Sequence, residues 1–174
     1  MPTTPPLTVF TTFFRPDREH LDEAIRSVLA QSYTTFEYLL INDGDREESE
    51  RILAAFPDPR IRILDNERRL GLMRSRQRGL SEARGELIAL LDSDDIAAPD
   101  RLARQVAFLG DHPDHVLVGS FLRFVDNDSR TIGHRRYPID DVEIRRRILE
   151  FNTIAQPAVM ARRLPLLAAG GYTP

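Results

Sequence analysis

The 174-residue sequence predicts an α/β fold: a doubly wound, mostly parallel sheet with helices on both faces, followed by a small mixed β region in the second half. Three observations predict it. Short apolar runs at 7–14, 36–41, 60–64 and 87–91 alternate with segments of helical periodicity. The runs are apolar on both faces, as strands covered by helices on two sides are. Turn-forming residues such as Pro16-Asp17 and Asn42-Asp43-Gly44-Asp45 separate the units.

Residues 7–14 are rich in β-branched and aromatic side chains, and Pro16-Asp17 then opens a helical pattern with Leu21, Ile25, Val28 and Leu29 on one face. A second strand at 36–41 ends at Asn42-Asp43, and residues 47–56 form a short helix with Ile52, Leu53 and Phe56 turned inward. A third strand at 60–64 precedes a helix at 72–84, whose end Gly85 marks as a residue that tolerates a left-handed cap. Then come a strand at 87–91 and a helix from Pro99 to about Leu109. Residues 116–125 read as one strand, Asp126-Asn127-Asp128 as a hairpin turn into 131–137, 141–150 as a helix, and 158–161 as a last short strand. The chain has no internal repeat and no low-complexity segment.

Its length suits a single domain over 1–174, with a first part at 7–111 and a second, of changed character, at 112–174. Apolar residues at 41% and charged residues at 29% are those of a folding chain. A net charge of −3 argues against nucleic acid as a partner. The absence of cysteine excludes a disulfide framework or a thiolate metal site and suits a reducing compartment. No secretory signal begins the sequence, and no apolar run approaches the roughly 20 residues that cross a bilayer. The expected setting is cytoplasmic. Arg145, Arg146 and Arg147 with Arg135 and Arg136 could meet the inner face of a membrane or a phosphorylated acceptor, although a solvated face explains such a cluster more simply. The four histidines fit surface loops.

Chemistry concentrates at Asp92-Ser93-Asp94-Asp95, where the run 87–91 ends. Ligands of open parallel sheets sit beyond the carboxyl ends of strands. Two carboxylates two residues apart can share a hard divalent cation, Mn²⁺ or Mg²⁺, which also bridges phosphates. Asp-x-Asp occurs three times, at Asp43-Gly44-Asp45, Asp92-Ser93-Asp94 and Asp126-Asn127-Asp128, so position must decide among them. The third copy lies in a turn that favours Asp and Asn for conformational reasons. The first two end strands, where a turn or a helix cap competes with ligand binding as their explanation.

Several ordered blocks over residues 8–172 resemble the family 2 glycosyltransferases. Residues 9–16 look like that family's opening strand and nucleotide-contacting turn, which makes Thr11 and Phe13 donor-contact candidates. Ser27 to Tyr33 matches the end of its first helix. Leu40-Ile41-Asn42-Asp43-Gly44 is similar to its paired acids, with Asn42 in place of the first, and Asp43 becomes the candidate for contacting the base. Asn66, Gly71, Arg76, Gln77 and Gly79 follow the family's spacing, with Gln77 replacing an asparagine, so Arg76 faces the donor. Asp92-Ser93-Asp94-Asp95 matches the metal motif. Residues 152–163 with Gly170-Gly171-Tyr172 resemble the acceptor-side segment, with Gln156 where a histidine is common. The charge cluster Arg68, Arg69, Arg74, Arg76 and Arg78 otherwise reads as a solvated helix face.

The resemblance implies a GT-A, Rossmann-like fold and a metal-dependent, inverting transfer of sugar from a nucleoside diphosphate sugar, expected to be a UDP-sugar, to a saccharide, lipid-linked or protein acceptor. Nucleotide-sugar contacts would come from Thr11, Phe13, Asp43, Arg76, Asp92 and Ser93, and the cation would sit on Asp92 and Asp94. The catalytic base is expected beyond Pro174, in a Glu-Asp pair. Two other readings stay open. A sugar-phosphate nucleotidyltransferase typically needs a glycine-rich loop after the first strand, and residues 11–17 contain no glycine. A sugar-nucleotide-binding module would bind without transferring.

Overall fold

The computed structural model describes residues 6–126 and 128–172, so the Asn127 part of the expected hairpin turn lies outside the described residues. In chain order the elements are β1 (Leu7–Phe13), α1 (Arg18–Leu29), β2 (Phe36–Asn42), α2 (Arg46–Ala55), β3 (Ile61–Asp65), α3 (Leu72–Glu82) and β4 (Leu87–Leu90). They continue as α4 (Arg101–Asp111), β5 (Leu117–Val118), β6 (Leu122–Val125), β7 (Thr131–Arg135), α5 (Asp141–Arg147), β8 (Met160–Arg162) and α6 (Arg163–Ala168), with a 3₁₀ turn at Gln156–Ala158.

The main sheet runs β3-β2-β1-β4-β8-β5. Its first four strands are parallel, and β8 enters antiparallel between β4 and β5. Alternate side chains divide the core into two layers. Val9, Phe13, Tyr38, Leu40, Ala89 and Leu91 point to the layer that α1, α2 and α4 cover. Phe10, Leu39, Ile41, Ile88 and Leu90 point to the opposite layer, where Leu80 of α3, Leu166 and Leu167 of α6 and Tyr172 pack. The sheet is therefore doubly wound, as the alternation of runs predicts.

Local chemistry sets the elements. Asp17 caps α1 by accepting from the backbone N–H groups of Glu19 at 3.0 Å and His20 at 3.2 Å. Gly71, at φ +87°, leads into α3. Gly85 is needed for a reason other than the expected left-handed cap. It is absent from the positive-φ residues, and a Cβ there would lie 2.4 Å from the Thr8 nitrogen and 2.6 Å from the Leu7 carbonyl carbon. Its backbone passes against β1, and its N–H donates to Thr8 Oγ1 at 2.8 Å.

The second half departs further from expectation. The single strand expected over 116–125 is two: β5 joins the main sheet through β8, while β6 leaves it after Gly119 and pairs only with β7 in a two-stranded ribbon. The helix expected to Glu150 ends at Arg147. Helix α6 adds to the elements read from the sequence, and it accommodates a proline, Pro165. It lies in the first helical turn, where its missing N–H has no intrahelical partner to lose.

Candidate active site

The register aligns Phe13 of β1 with Asn42 of β2, and Phe10 of β1 with Leu90 of β4, so the carboxyl ends of these three strands form one shelf. Strand alternation then decides which residues face which way. Asn42 bonds to Ser49 of α2 at 2.6 Å, on one side of the sheet. Asp43, one residue later, turns to the α3 side, as does Asp92 beyond Leu91. Asp43, Arg76 and Asp92 therefore lie on the same side of the sheet, above its ends.

Asp43 is 3% exposed, and its carboxylate is occupied by the chain's own donors. Its Oδ1 accepts from Leu70 N at 2.7 Å, Asn66 Nδ2 at 2.8 Å and Ser75 Oγ at 2.9 Å, and its Oδ2 accepts from Gly71 N at 2.9 Å. Burial raises the carboxyl's pKa, but these four hydrogen bonds outweigh it and hold the group below the ordinary carboxylate range. The residue thus ties β2 to the loop ahead of α3. Oδ2, with a single donor, retains capacity for one more. The same loop carries Arg69, whose guanidinium lies 4.3 Å from the centre of the Phe14 ring, so Arg69 is not simply part of a solvated helix face.

Arg76 is 5% exposed. Its Nη2 donates to Asp92 Oδ1, and its Nη1 donates to Gln156 Oε1 at 2.5 Å. Burial raises the pKa of Asp92, Arg76 pulls it back, Asp94 pushes it up, and the net direction is upward. Asp95 is raised to about 6, first by burial and then by Asp92 and Asp94, with Arg101 opposing. Arg101 is itself lowered to about 10 by burial. Its Nη2 donates to the carbonyls of Leu90 at 2.7 Å and Val159 at 3.2 Å, bracing the point where β4 meets β8. Burial pushes the Tyr172 hydroxyl up to about 12, with Arg76 opposing and Asp92 reinforcing.

The structure brings Arg76 and Asp92 into direct contact and places Ser93 and Asp94 on the turn that follows. The side chains of the two β1 candidates face the other layer. Thr11 is fully buried and its hydroxyl is shared with Tyr38 at 3.0 Å, while Phe13 is 3% exposed and packs in the α1 layer. Neither side chain reaches the shelf. The intervening Thr12 has the opposite parity, and its hydroxyl has no partner among the described residues. Gln156, Arg101 and Tyr172 are further members of this neighbourhood. Tyr172 is held by its N–H, which donates to Gln77 Oε1 at 2.7 Å, and by edge-to-face packing on Phe10 with ring centres 6.4 Å apart. The preceding Gly171 permits this approach: at φ +64°, a Cβ there would lie 2.3 Å from Gln77 Oε1.

Among the described residues no group of three acidic, histidine or cysteine side chains could enclose a metal ion. The oxygen donors of Asp92 and Asp94 nevertheless fit a hard divalent cation whose remaining ligands come from a phosphate and water. Burial first, and the neighbouring carboxylates after it, push Asp92 and Asp95 upward, and a cation there would favour their charged forms.

Comparison with known proteins places this geometry. The family described as glycosyl transferase family 2 matches residues 8–167. The uncharacterized glycosyltransferase MJ1057 of Methanocaldococcus jannaschii is 33% identical over 127 residues, 71% of this chain and 43% of that protein. The amylovoran biosynthesis glycosyltransferase AmsE of Erwinia amylovora is 27% identical over 158 residues, 88% of this chain and 58% of that protein. Among solved structures, the mannosyltransferase PcManGT of Pyrobaculum calidifontis, in complex with GDP-Man and Mn²⁺, matches with a TM-score of 0.69 at 18% identity, over 98% of this chain and 48% of its own. TarS 1-349 of S. aureus, in complex with UDP-GlcNAc, gives a TM-score of 0.71 at 18% identity, over 97% and 48%. At that identity the likeness shows the fold, the Rossmann-like GT-A arrangement. The chain spans about half the length of these relatives.

Proposed function

The chain belongs to glycosyl transferase family 2, and from that premise we propose that it forms the donor-binding part of an enzyme that moves a sugar from a nucleoside diphosphate sugar to an acceptor hydroxyl with inversion. The observation that carries this reading is the buried Arg76, which holds Asp92 at the end of β4 on the same side of the sheet as Asp43. Residues 7–111 would bind the donor, expected to be a UDP-sugar, and residues 112–172 would begin the acceptor side.

Asp92 and Asp94 would hold Mn²⁺ or Mg²⁺ together with the donor's diphosphate, and the cation would supply charge neutralisation for that leaving group. The chain's own residues do the rest. Arg76 fixes Asp92 through one nitrogen and Gln156 through another, so the carboxylate is oriented before a ligand arrives. Asp43 stiffens the loop at 66–71 and offers Oδ2 to a donor group of the base. Thr11 and Phe13 would offer the donor their backbone, Thr12 is the β1 side chain with the parity of Phe10, and Ser93 lies on the turn after β4. The acceptor oxygen attacks the anomeric carbon from the face opposite the diphosphate, the carbon–oxygen bond to the diphosphate breaks, and the acceptor's proton passes to a carboxylate base. The family resemblance puts that base on the C-terminal side of Gly170-Gly171-Tyr172.

Isothermal titration of UDP with and without Mn²⁺ tests the reading. Binding should require the cation, and Asp94→Ala, which removes a direct ligand, should abolish the metal-dependent binding. Metal-independent binding, or an unchanged Asp94→Ala variant, would remove the cation from the site.

A further inference from the structure

Two cavities lie beside the donor site, and their walls are mainly apolar. The nearer, of about 520 Å³, includes Gln156, the residue that holds Arg76, together with Leu90, Val159 and Leu166. The farther, of about 620 Å³, lies along the edge strand β5 and is bounded by Phe108, Val118, Phe121, Tyr137 and Ile144. Leu117 and Ile154 belong to the walls of both, so the two spaces adjoin across these side chains. Each volume lies within the range of small-molecule sites.

The outer end is apolar where a soluble surface is normally polar. Ile139, a wall residue, is 85% exposed, Phe121 is 51% exposed, and Val142 beside them is 77% exposed. Several polar wall residues are engaged: Asp140 accepts from the Glu143 N–H at 2.8 Å, Asp141 pairs with Arg145 at 2.7 Å, and Ser120 accepts from Gln105 at 3.0 Å. The buried Thr153 hydroxyl, without a partner among the described residues, is left to meet a polar atom of a mainly apolar ligand. Next to Tyr137, Arg135 and Arg136 have no carboxylate partner among the described residues, and the Arg135 guanidinium lies 5.4 Å from the centre of the Tyr137 ring. That end thus carries two arginines without a carboxylate partner among the described residues, beside Asp140 and the paired Asp141, on an otherwise apolar rim, which suits a chain leaving an anionic lipid surface.

We propose that this pair of cavities takes the apolar chain of a lipid-linked acceptor, directing its polar end past Gln156 toward Asp92 and Asp94. The proposal rests on the donor-site reading and narrows its acceptor class. A saccharide without a lipid chain would gain nothing from these walls, whereas each methylene buried in them strengthens binding about fourfold.

The test is a methyl-detected NMR titration of the whole chain with methyl, hexyl and octyl β-glucosides below their micelle concentrations, with a UDP and Mn²⁺ titration run on the same sample. Octyl glucoside should shift the methyl signals of Ile139, Ile144 and Ile154 saturably, about tenfold or more tightly than hexyl glucoside for the two added methylenes, and methyl glucoside should leave them unmoved. Ile139→Asp, at a position too exposed to threaten folding, should weaken the octyl compound severalfold and leave UDP binding as it was. No dependence on chain length, or shifts that never saturate, would overturn the proposal while metal-dependent UDP binding kept the donor site intact. Alkyl binding without UDP binding would overturn the acceptor assignment together with the donor reading. Self-association of the chain that buries the same isoleucines would give the walls to a second copy instead.

Discussion

At the scale of single residues, Asp43 does two kinds of work, and pH separates them. Its folded pKa is depressed, so its contribution to stability is complete above the unfolded carboxylate value of about 3.9 and is lost as pH falls through the lower folded value. Asp43→Ala strands the Asn66, Ser75, Leu70 and Gly71 donors and should cost about 3 kcal/mol at pH 7. In urea unfolding the gap to the natural protein should narrow toward pH 3, and a gap independent of pH would show that ionisation is not what holds the loop. The sequence puts Asp43, Arg76, Asp92 and Asp94 at strand ends or within a recognisable spacing, and the fold brings Asp43, Arg76 and Asp92 to one side of the sheet. Alternation along β1 turns Thr11 and Phe13 toward the α1 layer and gives Thr12 the parity of Phe10, toward α3, a direction that the strand's residue types alone do not reveal. Arg101 gave no such signal, since nothing near it in sequence marks the carbonyls of Leu90 and Val159 as its partners.

Elements show a similar division. The four βα units were readable because each is local, with its own apolar run and turn. What a sequence cannot display is how close two backbones come, and Gly85 illustrates this. It looks like a helix terminator, yet it is required by contact with β1 almost eighty residues earlier in the chain. Gly85→Ala should therefore destabilise the fold by about 3 kcal/mol, in the upper range for overpacking, measured as a fall in the urea midpoint. An effect below about 1 kcal/mol, the ordinary cost difference between glycine and alanine in a regular element, would mean that the β1–β4 edge yields easily. The splitting of 116–125 into β5 and β6 was equally hidden, because both pieces have the residue types of a strand and only their partners differ.

At the scale of the whole molecule, β1, β2 and β3 pair as neighbours in sequence, whereas β4 returns to β1 with Leu7 opposite Leu87, and the far edge is long-range as well. Strand β8 pairs with β4 across some seventy residues, and β5 reaches the sheet only through β8. The ribbon β6-β7 hangs between these long-range pairings and bonds in a ladder only to itself. A protease admitted briefly at the exposed turn near Ser129 should cut the polypeptide without taking it apart. The C-terminal piece carries β8, which is flanked on both sides by strands of the N-terminal piece. The two pieces should leave a sizing column together and part only in denaturant, and the two halves expressed separately should find one another when mixed.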